Sequence, residues 1–289
     1  MNFNQNLLKN IISNEVRLLK ESRTHYEKEL LPILNDTRKQ LIKELEILKN
    51  KPDDAKRLNI LLRQAEGIIE ESYKQMSEIN KKRVINSVIK SNKKIADVFN
   101  EKVEILKVLS FRQIEAIAQG AVFGSVGNKH TAGFWWKKQS KTLKKNYEKK
   151  VRGLVLAGSD YDAIVKAIRG TKKLKYTDGI MRISYMQAKM LARSSVINVS
   201  NQANLKMYEE NTDVLDKIEW LATLDNRTSE ICMALDGKLW SLPDYKPIGH
   251  SFDYPGATAH FGCRSTQIPI TKSFEKITGI KKDIIEEEG

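Results

Sequence analysis

Reactive side chains in this sequence gather in two fragments, RTSEICMALDGK at 227–238 and HFGCRSTQIPI at 260–270. Each holds one of the chain's 2 cysteines, Cys232 and Cys263, and His260 stands three residues before the second. Two thiols and an imidazole are donor types that suit zinc, and the H-x-x-C spacing lets both of its side chains reach one ion. The same residue types also make a cysteine nucleophile with a histidine base. Two cysteines in 289 residues do not make a secreted disulfide framework, so metal binding, catalysis and plain burial stay open. A structural zinc site wants four protein ligands, and only three are evident. The position that would complete a C-x-x-C half-site is Ser229, a poor ligand. Asp225, His250 or a water would then fill the shell of a bound ion.

The neighbours of the cysteines also have two readings. In the functional one, Asp225, Arg227, His260 and Arg264 form a catalytic cluster, with Cys232 or Cys263 as nucleophile and His260 as base. In the structural one, Asp225 and Thr228 shape a loop and cap a helix, Arg227 and Arg264 form salt bridges, and Trp220 and Trp240 are core. The structural reading is preferred, because the sequence shows no oxyanion or substrate pocket. No catalytic residue is assigned and the chain is read as a non-enzyme.

These residues must be positioned by short elements. Cys232 belongs on a short helix that begins near Thr228 or Ser229. From 214 to 270, Pro243, Pro247, Pro255, Pro269, the Asp236-Gly237 turn and short apolar runs such as KIEWLAT and STQIPI indicate short strands and loops. A β-rich module of that size has little interior and often needs a staple.

The rest of the chain reads as helical, so the fold class is α+β and mainly α. From Asp53 onward, Leu58, Leu61, Leu62, Ala65, Ile68, Ile69, Tyr73, Met76 and Ile79 recur at helical steps with no proline between them. Pro52, Asp53 and Asp54 make a plausible helix start. Residues 3–50 form one or two further helices, bent or broken near Pro32. The glycine-rich stretch 119–134 lacks a Walker pattern and is expected to be a hinge or turn between helical subdomains. Ser159 should cap a short helix that Gly170 ends. In the long helix that follows, Ile183, Met186, Met190 and Leu191, then Val196, Val199 and Ala203, are expected to face the core.

Three segments follow from composition: a helical docking or scaffold region at 1–118, a basic helical region at 119–210, and a small β-rich module at 211–289. Their net charges are +6, +12 and −4, so the basicity sits in the middle. There, Trp136, Leu143, Tyr147, Val151 and Leu154 share one helical stripe. Lys137, Lys138, Lys141, Lys144, Lys145, Lys149, Lys150 and Arg152 cover the remaining surface. Such an excess is a footprint for a polyanion, and DNA is favoured over a membrane because no strongly apolar amphipathic face accompanies it. Lysines contact phosphates, which predicts affinity without sequence preference. No apolar run approaches the roughly 20 residues of a membrane span. The opening residues do not make a signal-peptide core. A soluble protein with an uncleaved N-terminus, made in a reducing cytoplasm, is expected.

An ordered series of fragments resembles the phage Mu F-like minor head proteins of head morphogenesis. ARSSVINVSNQAN at 192–204 is similar to the family's Ala-Arg-Thr/Ser helix. EWLATLDNRTSEICMALDGK at 219–238 resembles its Trp, Asp-x-Arg-Thr, Cys and Asp-Gly signature, and HFGCRS its closing His-x-x-Cys-Arg. The series covers roughly 135–270 and places family residues at Arg193, Trp220, Asp225, Arg227, Thr228, Asp236, Gly237 and Arg264. Many family members carry a second cysteine where this chain has Ser229. The resemblance implies a protein inside a tailed-phage or prophage capsid near the portal vertex, present in the host cytoplasm during assembly. Portal protein, phage genomic DNA and scaffolding or major capsid protein are the implied partners, in head assembly and in DNA packaging or delivery. The alternative is a metal-dependent nuclease or cysteine hydrolase housed in the C-terminal module.

Overall fold

The computed structural model describes residues 3–49, 55–100, 107–125, 127–174, 176 and 178–272. It has long helices throughout and a small antiparallel sheet near the C-terminus, the expected α+β and mainly α architecture. Among the described residues, no helix is long and apolar enough to cross a membrane.

Two compact units interleave along the chain. A sheet-bearing unit comprises Met1–Ser22, Arg83–His130 and Arg193–Gly289, and a helical unit comprises Arg23–Lys82 and Thr131–Ala192. They cut across the segments 1–118, 119–210 and 211–289, because three long helices each contribute residues to both. These are α1 (Phe3–His25), α3 (Ala55–Asn100) and α7 (Met181–Glu209).

The chain opens with α1 (Phe3–His25), passes through a π-helical turn at Tyr26–Leu30, and continues as α2 (Leu31–Glu44). Pro32 lacks the N–H that would bond one turn back, and the wider turn just before it carries the helix past that gap without breaking it. The disturbance expected near Pro32 is therefore a π turn. The Pro52-Asp53-Asp54 start of α3 lies outside the described residues. Within the helical unit, Leu58, Leu61, Ala65, Ile69, Tyr73 and Met76 are buried at the predicted spacing.

The glycine-rich stretch is not a simple hinge. After α4 (Phe111–Gly120) it forms a two-stranded sheet, β1 (Val122–Ser125) and β2 (Asn128–Thr131). Gly127, at φ +75°, supplies the left-handed turn between them. Next comes α5 (Ala132–Leu156), whose Trp136, Leu143, Tyr147 and Val151 are buried as the stripe requires.

The cap of α6 (Tyr161–Arg169) is Asp160, whose carboxylate accepts from the Ala163 N–H at 2.7 Å, and not Ser159. Ser159 stands one residue too early to reach the first turn. Gly170 ends that helix at φ +84°, as expected.

In α7, the expectation fails for three residues. Ile183, Met186 and Met190 are exposed, whereas Leu191, Val196, Val199 and Ala203 are buried. The buried face of its first half is Met181, Ser184, Ala188 and Leu191. Ser184 and Ala188 share that inner face with Met181 and Leu191, and Ile183, Met186 and Met190, at i, i+3 and i+7, fall on the other side.

The remaining strands are β3 (Leu215–Leu221), β4 (Leu239–Ser241), β5 (Pro247–Ile248) and β6 (Thr266–Thr271), in the order β5-β4-β3-β6. All pairings are antiparallel, with Ile218 opposite both Trp240 and Pro269. Ile218, Trp220 and Trp240 are fully buried in this unit's core. Between β3 and β4 lies a six-residue helix, α8 (Glu230–Leu235).

Candidate metal centre

Local chemistry places the first thiol. Ser229 caps α8, accepting the Cys232 N–H on its Oγ at 3.4 Å, so Cys232 sits in the first turn of the helix and points inward. The second thiol comes from a turn in which the Cys263 N–H bonds the His260 carbonyl at 3.2 Å. Gly262 has φ +80° in that turn, which a side chain would strain. His260 and Cys263 thereby face Cys232 together. The Cys232 and Cys263 Sγ atoms are 3.6 Å apart, and Cys232 Sγ is 3.3 Å from His260 Nε2. All three donor atoms lie within 4.8 Å of one another.

Protonation follows from this crowding. Hydrogen bonding from Cys263, then from His260 and the Ser229 and Ser265 hydroxyls, holds the Cys232 thiol well below the usual range despite its burial. Cys263 is pushed far up by its bond to Cys232 and by burial, since a second charge beside a thiolate is unfavourable. His260 is raised by its bond to Cys232.

The residues fit a metal ion. Ligands at zinc distances in a tetrahedral shell stand about 3.8 Å apart for two sulfurs and about 3.5 Å for sulfur and nitrogen. The separations here are 3.6 Å and 3.3 Å. Nδ1 of His260 donates to the Phe261 carbonyl at 2.9 Å, so that in the neutral ring Nε2, the atom facing the thiols, carries the lone pair an ion would take.

Neither Asp225 nor His250 joins the group. Asp225 accepts both guanidinium nitrogens of Arg264, at 2.7 and 2.6 Å, and also binds Arg227 at 3.0 Å. That pairing holds its carboxyl far below the usual range, with the Arg264 bond as the main cause. His250 donates from Nε2 to the Leu239 carbonyl at 2.8 Å and accepts the Phe252 N–H on Nδ1 at 3.2 Å. Its ring lies edge-on to Trp240. Both were plausible from residue type alone, and both are committed elsewhere.

The other motif residues serve the same construction. Arg193 donates to the Gly262 carbonyl at 3.2 Å, and the Thr228 hydroxyl accepts the Asp225 N–H at 2.9 Å. Asp236 accepts the Ala222 N–H at 2.8 Å, and Gly237, at φ +71°, donates to the Trp220 carbonyl. This is the structural reading of Asp225, Arg227, Thr228, Trp220 and Arg264.

Sequence reasoning missed the residues that hold the His260–Cys263 loop. From α7, Ser194 accepts the Gly262 N–H at 2.9 Å and Asn198 donates to Thr258 at 2.8 Å. Asn201 donates to the Ala257 and Ser265 carbonyls, both at 2.9 Å, and accepts from Thr266 at 3.0 Å. Phe123 of β1 lies against Phe261, with ring centroids 5.7 Å apart, and Lys129 of β2 donates to the Pro255 carbonyl. Polar residues on a helix face that the apolar period assigns to the core were the available signal.

The basic set belongs to the helical unit. Lys137, Lys138, Lys141, Lys145, Lys149 and Lys150 are exposed on α5, and the Lys138 ammonium lies over the Trp135 ring. Lys144 is instead held by Glu66 and Glu70 of α3. Arg152 binds Glu148 at 2.9 Å and Asn59 at 3.2 Å.

Residues 145–268 match the model of the family described as Phage Mu protein F like protein. No curated protein and no solved structure matches the chain. The matched segment begins inside α5 and ends in β6, and so contains the cysteine-histidine group, the α7 residues that clamp its loop, and the arginine and aspartate motif around it. From residue 145 to residue 268, then, the chain is similar to the Phage Mu protein F like family.

Proposed function

We propose that this phage head-related protein is a minor head protein of a tailed phage or prophage, placed inside the capsid near the portal vertex and binding the packaged DNA without sequence preference. Support for the DNA contact is the lysine face of α5, where six ammonium groups are exposed on one helix. The helical N-terminal part is the docking element for the portal, with scaffolding or major capsid protein as further contacts. Zinc held by Cys232, His260 and Cys263 would supply a cross-link that ties α8 to the β6 side of the small sheet. Loading would displace thiol protons to solvent, because both sulfurs bind as thiolates.

The test is fluorescence anisotropy with a mixed-sequence DNA duplex over a salt series. Lys141, Lys145 and Lys149 are the residues to reverse to glutamate together, since Lys144 already neutralises two glutamates. Losing three phosphate contacts should lower the slope of log K against log salt by about 3. An unchanged slope in the folded variant would remove the DNA reading.

A second reading, a cysteine hydrolase, is favoured by the 3.3 Å contact between Cys232 Sγ and His260 Nε2. Burial of Cys232 at 3% exposure weighs against it, because a nucleophile must reach its substrate. Turnover of a labelled peptide that vanished in a folded Cys232→Ala variant would establish it.

A further inference from the structure

Three protein donors converge on one point, and the fourth corner is bordered by a hydroxyl. Ser229 Oγ is 2.8 Å from His260 Nε2, closer than the roughly 3.3 Å that would separate an oxygen and a nitrogen sharing a tetrahedral ion. The contact is thus a hydrogen bond between the Ser229 hydroxyl and the ring nitrogen. Ser229 is not free to swing away, because the same Oγ caps α8 through the Cys232 N–H. When Nε2 is engaged by an ion, the hydroxyl loses this contact while staying at the rim of the group. A neutral serine hydroxyl is a weak ligand for a borderline-soft ion, but a good hydrogen-bond donor to whatever sits beside it.

Charge also favours an outside ligand. Two thiolates balance a divalent ion, leaving the centre neutral before its fourth ligand binds. Around it stand Arg193, Arg227 and Arg264, the last two paired with Asp225. Arg193 and Arg264 both lie within electrostatic reach of Cys263. Nε of Arg193 is buried without a hydrogen-bond partner among the described residues. Access exists on one side, since Ser229 and His260 are half-buried while both cysteines are buried.

We infer that the Cys232–His260–Cys263 centre has an open fourth coordination position beside Ser229, filled by water or a small anion and not by a fourth side chain from the described residues. The inference rests on the zinc reading above. It separates this centre from a closed structural site, in which four protein ligands shield the ion.

Cobalt(II) is the probe, because its visible spectrum reports the ligands around it, and azide is the test anion. Full-length protein is loaded with cobalt and titrated with azide, alongside Ser229→Cys and Ser229→Ala. The expected result is an azide-dependent shift of the cobalt bands in the wild-type chain and in Ser229→Ala. Ser229→Cys should instead add thiolate charge-transfer intensity and lose the azide response. It should also retain the ion against a chelator by more than the roughly 10–100-fold typical of outer-shell changes. A wild-type chain that binds cobalt but ignores azide overturns the open position and leaves the metal reading standing. If Ser229→Ala alters the azide-free spectrum, Ser229 is itself a ligand and the inference falls. If no cobalt is taken up, the metal reading falls and carries this inference with it. The azide titration of the wild-type chain needs no substitution, so misfolding of a variant does not blunt the test.

Discussion

The helical unit and the sheet-bearing unit are built on different principles. Leu30, Leu34, Leu41, Leu61, Ile69, Trp136, Leu143 and Val151 fill most of the interior of the first, with buried polar pairs such as His25–Asn80 and Thr37–Ser72 among them, and the charges of α3 and α5 lie outside. The second buries Ser91, Asn92, Asn198, Ser200, Asn201, Asn204 and Asn211 among its apolar residues. Helices satisfy their own backbone, so a helical unit needs little more than a continuous apolar stripe. Residues 249–265 contain no regular helix or strand, and their carbonyls and N–H groups must find partners on neighbouring elements. The buried amides of α7 are those partners.

Removing one of them should have the largest effect. Asn201→Ala would strand the Ser265 carbonyl and the Thr266 hydroxyl and leave the Ala257 carbonyl with only its bond from Gln267, at a cost on the order of 3 kcal/mol in urea denaturation. It should also weaken metal uptake, because the freed loop carries His260 and Cys263. If the variant were as stable as the wild type, the contrast between the units would be wrong.

Glu15 sharpens the comparison from the opposite side. It is buried in the sheet-bearing unit with an unpartnered Oε1, and desolvation pushes its carboxyl up to about 8. Between its ordinary value and that one, the folded chain holds a proton that the unfolded chain releases. Stability therefore falls as pH rises through that window. At pH 7 the loss is about 3 kcal/mol. Glu15→Gln should recover most of it and flatten the profile from pH 5 to pH 8, read by thermal unfolding across that range.

The smallest effect belongs to the polar shell of the helical unit. Lys144→Ala removes two exposed ion pairs with Glu66 and Glu70. The change should be no more than about 1 kcal/mol and should vanish at high salt. A salt-independent loss of several times that size would mean that Lys144 acts through packing.

Much of the centre was legible because its determinants are local. A serine three residues before a cysteine starts a helix, and a glycine between histidine and cysteine makes a turn, so Cys232 and the His260–Cys263 pair were each placed by neighbouring residues. Lys144 was read as one of a lysine row, since the sequence does not show that Glu66 and Glu70 of another helix flank it. Asp225 and His250 were read as ligand candidates by type, and only Arg264 and Leu239, remote in sequence, show where they are committed. In α7, periodicity found the helix but misassigned Ile183, Met186 and Met190, because that helix is apolar around much of its circumference.

By itself, the sequence determined the long helices, the strand-forming runs KIEWLAT and STQIPI, the basic face of α5 and the three donor residues, since these depend on period, spacing and side-chain chemistry. Tertiary structure decided which face of α7 is inner, which glutamates neutralise Lys144, how Asn198 and Asn201 hold the loop, and that Ser229 touches His260. The physical reason is that a side chain's donors and acceptors are spent on whatever the fold brings within 3 Å, and nothing in the order of residues names those partners.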